Sequence, residues 1–234
     1  MSFLYDDKSK LVNKVFNHVY ENYDLMNDIM SLGSHRIWKK NLISWIAPKR
    51  YDKIIDVASG TGDIAKLCSA ETNNESKITC VEPNSKMLSI GKNKLSHLNN
   101  LTWVLSNAES LPFKKNTFDF YVISFGIRNV SNINKSLKEA HRVLKPGGRF
   151  FCLEFSKVEN EILNKIYKQY SKIIPSIGKI IVGNRMPYKY LIESIDKFYD
   201  QRDLLKKIEK NGFSHVEYRN LTNGVAAIHT GWKI

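Results

Sequence analysis

Residues 53–63, Lys-Ile-Ile-Asp-Val-Ala-Ser-Gly-Thr-Gly-Asp, decide the fold of this chain. A β-branched run (Ile54, Ile55, Val57) ends in Ala58-Ser59-Gly60-Thr61-Gly62, and a helical pattern of Ile64, Ala65, Leu67 and Cys68 follows at once. A buried strand, a glycine turn and a helix N-terminus bring backbone N–H groups up to a bound ligand. The next apolar run, Ile78-Thr79-Cys80-Val81, ends in Glu82, roughly 20 residues past the turn, where an acid can bond both ribose hydroxyls. The spacing predicts a site for an adenosine-containing cofactor.

Gly60-Thr-Gly62-Asp-Ile-Ala65 also satisfies the dinucleotide fingerprint, a weak signal when it stands alone. Two features favour S-adenosylmethionine over a nicotinamide cofactor. Asp56 precedes the turn, where an acid helps hold the cationic amine of a methionine moiety and a pyrophosphate gains nothing. A third strand, 101–105, leads into Ser106-Asn107-Ala108-Glu109-Ser110-Leu111-Pro112-Phe113, a segment placed to bracket an adenine.

Outward from this stretch, strands and helices alternate: helix 63–71, strand 78–82, helix 84–95 capped by Asn84 or Ser85, strand 101–105, strand 118–124 and helix 133–143. Lys145-Pro-Gly-Gly148 turns into strand 149–155. Helix 201–211 and strands 213–220 and 223–231 complete a mostly parallel sheet with helices on both faces. Residues 8–46 read as helices, with Val12, Val15, Phe16, Val19 and Tyr20 at helical spacing. Residues 157–200 break the pattern with an amphipathic helical stretch too long for a connection, read as a lid over the ligand site. The 234 residues, 42% hydrophobic, fit one α/β domain over 1–234.

No apolar run approaches a membrane span, and the acidic N-terminus lacks the features of a secretory or transit peptide, so the chain is expected to act where it is made or to have had a targeting sequence removed. Cys68, Cys80 and Cys152 sit in apolar contexts without metal-ligand spacing and read as buried hydrophobes of a reducing compartment. No metal site is expected. The net charge of +13 leaves three readings open: a solvated, lysine-rich surface, an anionic membrane, or nucleic acid. The exit of strand four, Ser124-Phe-Gly-Ile-Arg-Asn129, lacks the Asn/Asp-Pro-Pro-aromatic sequence of many enzymes that methylate exocyclic amines. Its aromatic, cationic and amide groups suit a planar, oxygen-bearing substrate.

Several longer blocks occur in order: Tyr23-Asp-Leu-Met-Asn-Asp-Ile-Met-Ser31, Gly33-Ser-His-Arg-Ile-Trp-Lys39, Asp56–Asp63, Leu111-Pro-Phe113, Ile123–Val130, Arg142–Gly148, Leu153-Glu-Phe-Ser156, Tyr190–Ile195 and Asn220–Lys233. Together they resemble the ubiquinone/menaquinone biosynthesis C-methyltransferases, the UbiE/COQ5 family, over nearly the whole chain. The resemblance implies a class I methyltransferase Rossmann-like fold with a seven-stranded sheet, an N-terminal helical segment (1–50) on the substrate side, and S-adenosylmethionine as cofactor. It implies cofactor contacts at Thr61, Glu82, Asn107, Ala108 and Ser124, beside Asp56, Gly60 and Gly62 already read from the strand and glycine turn. Glu82 stands where the family usually has Asp. The implied substrate is a 2-polyprenyl-6-methoxy-1,4-benzoquinol or a demethylmenaquinol, methylated at a ring carbon. Arg128 is expected to stabilise the phenolate, Asp28 or His35 to assist proton loss, and Tyr23, Asn27 and Asn129 to orient the quinol oxygens. A peripheral place on the inner membrane from the cytoplasmic or matrix side, and a homodimer or quinone-synthesis complex, are the expected setting. RNA or another small molecule as substrate, and a non-catalytic scaffold of such a complex, stay open as alternatives.

Overall fold

The computed structural model describes residues 27–29, 31–182 and 186–234. Tyr23 and the helical pattern over 8–26 lie outside the described residues. The elements are α1 (Ser34–Ile46), β1 (Lys53–Val57), α2 (Asp63–Glu71), β2 (Lys77–Glu82), α3 (Ser85–Lys94), β3 (Leu101–Leu105), β4 (Phe118–Ser124), α4 (Ile133–Val143), β5 (Leu144–Phe155), α5 (Glu161–Val182), α6 (Met186–Asp196), α7 (Gln201–Lys210), β6 (Ser214–Leu221) and β7 (Ala226–Trp232). Seven strands form one sheet in the order β3-β2-β1-β4-β5-β7-β6. The first five are parallel, and β7 runs antiparallel between β5 and β6. The order reverses at β1/β4, where open α/β sheets place ligands beyond the strand C-termini.

Alternation along the central strands splits the core between the two faces of the sheet. Ile54, Ile78, Cys80, Val122, Phe151 and Leu153 pack with Trp38, Leu42 and Ile46 of α1. Ile55, Val57, Val81, Tyr121, Ile123 and Phe150 pack with Leu137, Ala140 and Val143 of α4. Strands buried on both sides read as near-continuous apolar runs, and these do. Asn84 caps α3 by accepting from the N–H groups of Lys86 and Met87 at 3.0 and 3.1 Å. The three cysteines are buried and unpaired.

Two boundaries differ from the sequence reading. β5 begins at Leu144, and its pairing with β4 jumps from Phe118↔Leu144 to Phe120↔Arg149, so residues 145–148 bulge inside the strand instead of preceding it. The last strand begins at Ala226, because Thr222–Gly224 form a 3₁₀ turn. Within residues 157–200, Glu161–Val182 form α5 and Met186–Asp196 form α6. Ile174, Tyr188, Leu191 and Ile195 from these helices join the same core as Trp38 and Leu42. The Tyr170 hydroxyl donates to the Ile29 carbonyl, tying α5 to the segment before α1. Among the described residues, no helix is long and apolar enough to cross a membrane.

Candidate active site

The turn between β1 and α2 forms the floor of a cleft. Gly60 and Gly62 take φ of +58° and +86°, values that cost a side-chain-bearing residue energy. A Cβ on Gly62 would also come within 2.7 Å of Leu95 Cδ1 and 2.9 Å of Trp103, so this position excludes any side chain. Asp56, Gly60, Thr61 and Asp63 line the cleft from below, Lys39 from α1, and Ser124 and Phe125 from the end of β4. Lys39 Nζ reaches Asp63 Oδ2 at 2.8 Å, and Lys94 reaches Oδ1 at 3.2 Å. Burial pushes the Asp63 carboxyl up, but these two ammonium groups outweigh it and hold the group at about 2.

Two acids, one in the cleft and one against its Gly60 wall, are less comfortable. Asp56 is 1% exposed, and burial raises its pKa to about 8. Its Oδ2 is buried with no hydrogen-bond partner, as is Ser124 Oγ. Two buried polar groups left without partners in a small cleft are costly unless a ligand bonds to them. A cationic amine would satisfy Asp56 and restore its charge, which fits the methionine end of S-adenosylmethionine. Glu82, at the end of β2, is pushed by burial to about 7. Its longer arm curls back so that Oε2 accepts from Gly60 N–H and Oε1 from Asn84 N–H, both at 2.9 Å. A carboxylate has roughly four lone-pair sites, so two remain for a ribose diol. The Ser106 N–H donates to the Glu82 carbonyl at 3.3 Å, which brings the 106–110 turn against this acid. Within that turn Ala108 is buried and Asn107 is exposed. Glu109 Oε1 accepts from the N–H groups of Ser131 and Asn132 at 2.6 and 3.1 Å, joining the turn to the start of α4.

Beyond the cleft, residues 127–129 form a 3₁₀ turn. Arg128 is 4% exposed, and its Nη1 donates to Glu154 Oε1 at 2.6 Å and to the Phe125 carbonyl at 2.7 Å. Glu154 Oε2 accepts the Arg128 N–H at 3.3 Å, and Oε1 also accepts the Phe155 N–H at 2.9 Å. The guanidinium is therefore one half of a buried ion pair whose charge is compensated inside the loop. That changes the expectation of a bare cation over the phenolate. Asn129 Oδ1 accepts from the Tyr190 hydroxyl of α6 at 3.1 Å. A groove of about 470 Å³ lies against this loop, lined in part by Arg128, Tyr190, Phe198 and Lys197.

A second polar cluster sits at the start of α1. His35 is 3% exposed, and its Nε2 lies 2.8 Å from Asp28 Oδ1. Arg36 clamps Asp28 from the other side, Nε to Oδ1 at 2.9 Å and Nη2 to Oδ2 at 2.7 Å. The hydrogen bond from Arg36, aided by His35, holds the Asp28 carboxyl at about 2. Ser31 Oγ donates to the Asn27 carbonyl at 2.7 Å and accepts the His35 N–H at 3.1 Å. His35 Nδ1 and Asn27 Nδ2 are buried and have no partner.

The sequence matches the ubiE/COQ5 methyltransferase family over residues 4–233. The chain belongs to that family. It is a methyltransferase, and S-adenosylmethionine is the methyl donor of this group. The ubiquinone/menaquinone biosynthesis C-methyltransferase UbiE of Brucella abortus is 49% identical over 235 residues, 98% of this chain and 87% of that protein. Its counterpart in Brucella anthropi is 50% identical over 234 residues, 97% and 89% of the two chains. Among solved structures, a SAM-dependent methyltransferase of Thermotoga maritima superposes with a TM-score of 0.67 at 19% identity, covering 97% of this chain and 100% of that one. One from Aquifex aeolicus gives 0.61 at 18%, covering 84% and 89%. These two likenesses concern the class I fold.

Within this family member, the structure brings Asp56, Gly60, Thr61 and Ser124 to one cleft and sets Glu82 against its Gly60 wall. Asn27, Asp28 and His35 form a separate cluster, joined to the cleft by α1, since His35 and Lys39 lie one helical turn apart on the same buried face. Sequence reasoning missed Glu154, Lys39, Asp63 and Tyr190 as parts of the site. Glu154 carried a signal: a lone acid in the apolar run Phe150-Phe-Cys-Leu-Glu-Phe155 is costly to bury unless paired.

Proposed function

We propose that this chain transfers a methyl group to a ring carbon of a polyprenylated quinol, a benzoquinol or naphthoquinol precursor of ubiquinone or menaquinone. The observation that carries the reading is the 49% identity over nearly the whole chain to proteins named for that reaction. Bound in the cleft, S-adenosylmethionine supplies an electrophilic methyl group on a sulfonium sulfur. Asp56 and Ser124 would hold its amino-acid end, Glu82 its ribose, and the Asn107–Ala108 turn its adenine.

The protein has two tasks at the acceptor. A ring carbon is a weak nucleophile until the neighbouring phenol loses its proton, and free phenols titrate near ~10. The phenolic proton must therefore be taken, and the carbon must be held in line with the methyl. Correct alignment alone is worth roughly 7–11 kcal/mol. In this reading Asn27 and Asn129 orient the quinol oxygens, with Asn129 fixed by Tyr190. Arg128 acts through its pairing with Glu154, holding the turn that presents Asn129. The ring proton displaced by the methyl group leaves to solvent, restoring aromaticity. Tyr23, proposed to help orient the ring, lies outside the described residues.

The polyprenyl tail is too apolar to leave a bilayer, so docking at a membrane from the cytoplasmic or matrix side is part of the proposal. α5 exposes Ile162 (70%), Ile173 (56%) and Leu163 (38%) beside the exposed Lys165, the composition of an interfacial face, with α5 and α6 as the lid. The side chains of Lys168 and Lys172, which this reading would set at the edge of that face, lie outside the described residues. The deciding experiment expresses the gene in a strain that lacks its own quinone C-methyltransferase and identifies the quinones by mass spectrometry. Restored ubiquinone or menaquinone is expected. Persistence of only the demethylated precursors, with the protein present and folded, rejects the reading.

A further inference from the structure

His35 has the geometry of a base whose second nitrogen is kept empty for an incoming proton. Its Nε2 is 2.8 Å from Asp28 Oδ1, and Arg36 bonds both carboxylate oxygens of Asp28. An ionised carboxylate only accepts hydrogen bonds, so Nε2 carries the hydrogen and Nδ1 holds a lone pair. That Nδ1 is buried and bonded to nothing, and an empty acceptor in the interior costs free energy unless a ligand uses it. Asn27, tied to the His35 backbone through Ser31 Oγ, has in its Nδ2 a buried donor in the same condition. One turn along α1 from His35, Lys39 reaches Asp63 at the rim of the cofactor cleft. His35 at the start of α1 thus holds an empty acceptor, and Asn27, before the helix, an empty donor, with Lys39 of the same helix lining the cofactor cleft.

We infer that His35 Nδ1 is the proton acceptor for the ring hydroxyl of the acceptor substrate, that Asp28 is the positioning residue that fixes its tautomer, and that Asn27 Nδ2 donates to the same oxygen. This rests on the quinol reading and names the group that reading leaves open. The phenolic O–H bond breaks, its electron pair moves through oxygen on to the ring, and a new N–H bond forms at Nδ1. The imidazolium that results is stabilised by Asp28. The carbon–methyl bond forms with the pair released into the ring, and the old sulfur–methyl pair stays on sulfur.

The local charges suit this role. Burial lowers the imidazole pKa and Lys39 lowers it further, against the opposing pull of Asp28, while Arg36 adds a small push the same way. The ring is therefore neutral, and able to accept a proton, at pH 7. Complete transfer from a phenol near ~10 to this imidazole is uphill by several pKa units. The proton must therefore move as the carbon–carbon bond forms, when the phenol oxygen is losing electron density and becoming acidic. General-base catalysis of that kind is worth about 10²–10⁴-fold.

The test compares wild type, His35→Ala, His35→Gln and Asp28→Asn with S-adenosylmethionine and a short-tailed demethylated quinol. Both His35 variants should lose on the order of 100-fold in kcat or more, with the KM for S-adenosylmethionine within about twofold. Imidazole added to His35→Ala should restore part of the rate. The pH profile of that variant should climb towards the phenol's own ~10 instead of levelling off near neutrality. Asp28→Asn should lower kcat in the same direction without imidazole rescue. A second readout does not require turnover: a 4-nitrophenol bearing an ortho methoxy group, bound with S-adenosylhomocysteine at pH 6, should show the red-shifted absorption of a phenol hydrogen-bonded to a base in wild type and lose that shift in Asp28→Asn and His35→Gln. Wild-type turnover in the His35 variants, a loss that neither imidazole nor high pH repairs, or an identical probe spectrum in all proteins overturns the inference. If wild type shifts the probe through His35 yet methylates no quinol, the inference stands and the quinol reading falls.

Discussion

Asp56 on β1 and Glu154 on β5 are both buried acids on strands that flank β4, each 1% exposed, and they differ in one respect. Glu154 has both oxygens bonded, to Arg128 and to two backbone N–H groups. Asp56 keeps one oxygen without a partner and is neutral below about 8. The Glu154 carboxylate is satisfied without a ligand and holds a loop in place. The Asp56 carboxyl is satisfied only when something charged and hydrogen-bonding arrives. A buried acid therefore marks a binding site by what its environment leaves unmade, and burial alone does not distinguish the two.

The largest expected effect lies on the Glu154 side. Arg128→Ala strands a buried carboxylate and should cost about 3–5 kcal/mol of stability, read by urea unfolding of the ligand-free protein. A cost below about 1 kcal/mol would mean the pair is not what braces the loop, and Arg128 would return to the role of substrate cation. Asp56→Asn should behave the opposite way. It replaces a carboxyl that is already protonated at pH 7, so the ligand-free protein should unfold at the same urea concentration or a higher one. Its affinity for S-adenosylmethionine, by calorimetry, should fall by about 1.5–3 kcal/mol through loss of a charge-assisted bond. If Asn binds the cofactor as well as Asp, the orphaned oxygen is not the amine's partner.

A pH series sharpens the same contrast. Asp56 and Glu82 have folded pKa values raised by burial, to about 8 and about 7, above their ordinary 3.8 and 4.5. The folded state holds these protons more tightly, so ligand-free stability should decline as pH rises from about 4 to about 8. Asp28 and Asp63 have lowered values near 2, so their contribution is complete above pH 4 and is lost only in acid. Thermal melts should show the decline in wild type and a flatter curve in Asp56→Asn. The smallest effect is expected from Glu82→Asp. A shorter arm still accepts from a ribose diol, so cofactor affinity should change by less than about 1 kcal/mol. A larger loss would show that the curl back to Gly60 and Asn84 needs the extra methylene.

Much of the cofactor half was legible because its signals are local. Turn, capping residue and strand-end acid lie within 32 residues, from Lys53 to Asn84, and each has a chemical reason that needs no knowledge of distant contacts. The acceptor half was legible as a set of residues and not as a set of partnerships. Arg128 and Glu154 stand 26 positions apart, Lys39 and Asp63 24, and Asn129 and Tyr190 61. Such pairs are fixed by how strands and helices cross, so a free-looking arginine in sequence became half of an ion pair in space. The bulge at 145–148 escaped for a related reason: Pro146-Gly147-Gly148 reads as a turn wherever it falls, and only the pairing of β4 shows it inside a strand.

Glu109 carries a kinetic consequence. Its carboxylate is hydrogen-bonded to the first residues before α4, while its own backbone belongs to the turn that would close over the adenine. Occupancy of the nucleoside pocket and the setting of the 127–132 segment are thus linked through one side chain. A methyltransferase wired this way should load its substrates in sequence, cofactor before quinol, and a dead-end cofactor product should inhibit competitively against the donor and noncompetitively against the acceptor. Glu109→Gln, which keeps the shape and loosens the tie, should move the enzyme towards random order.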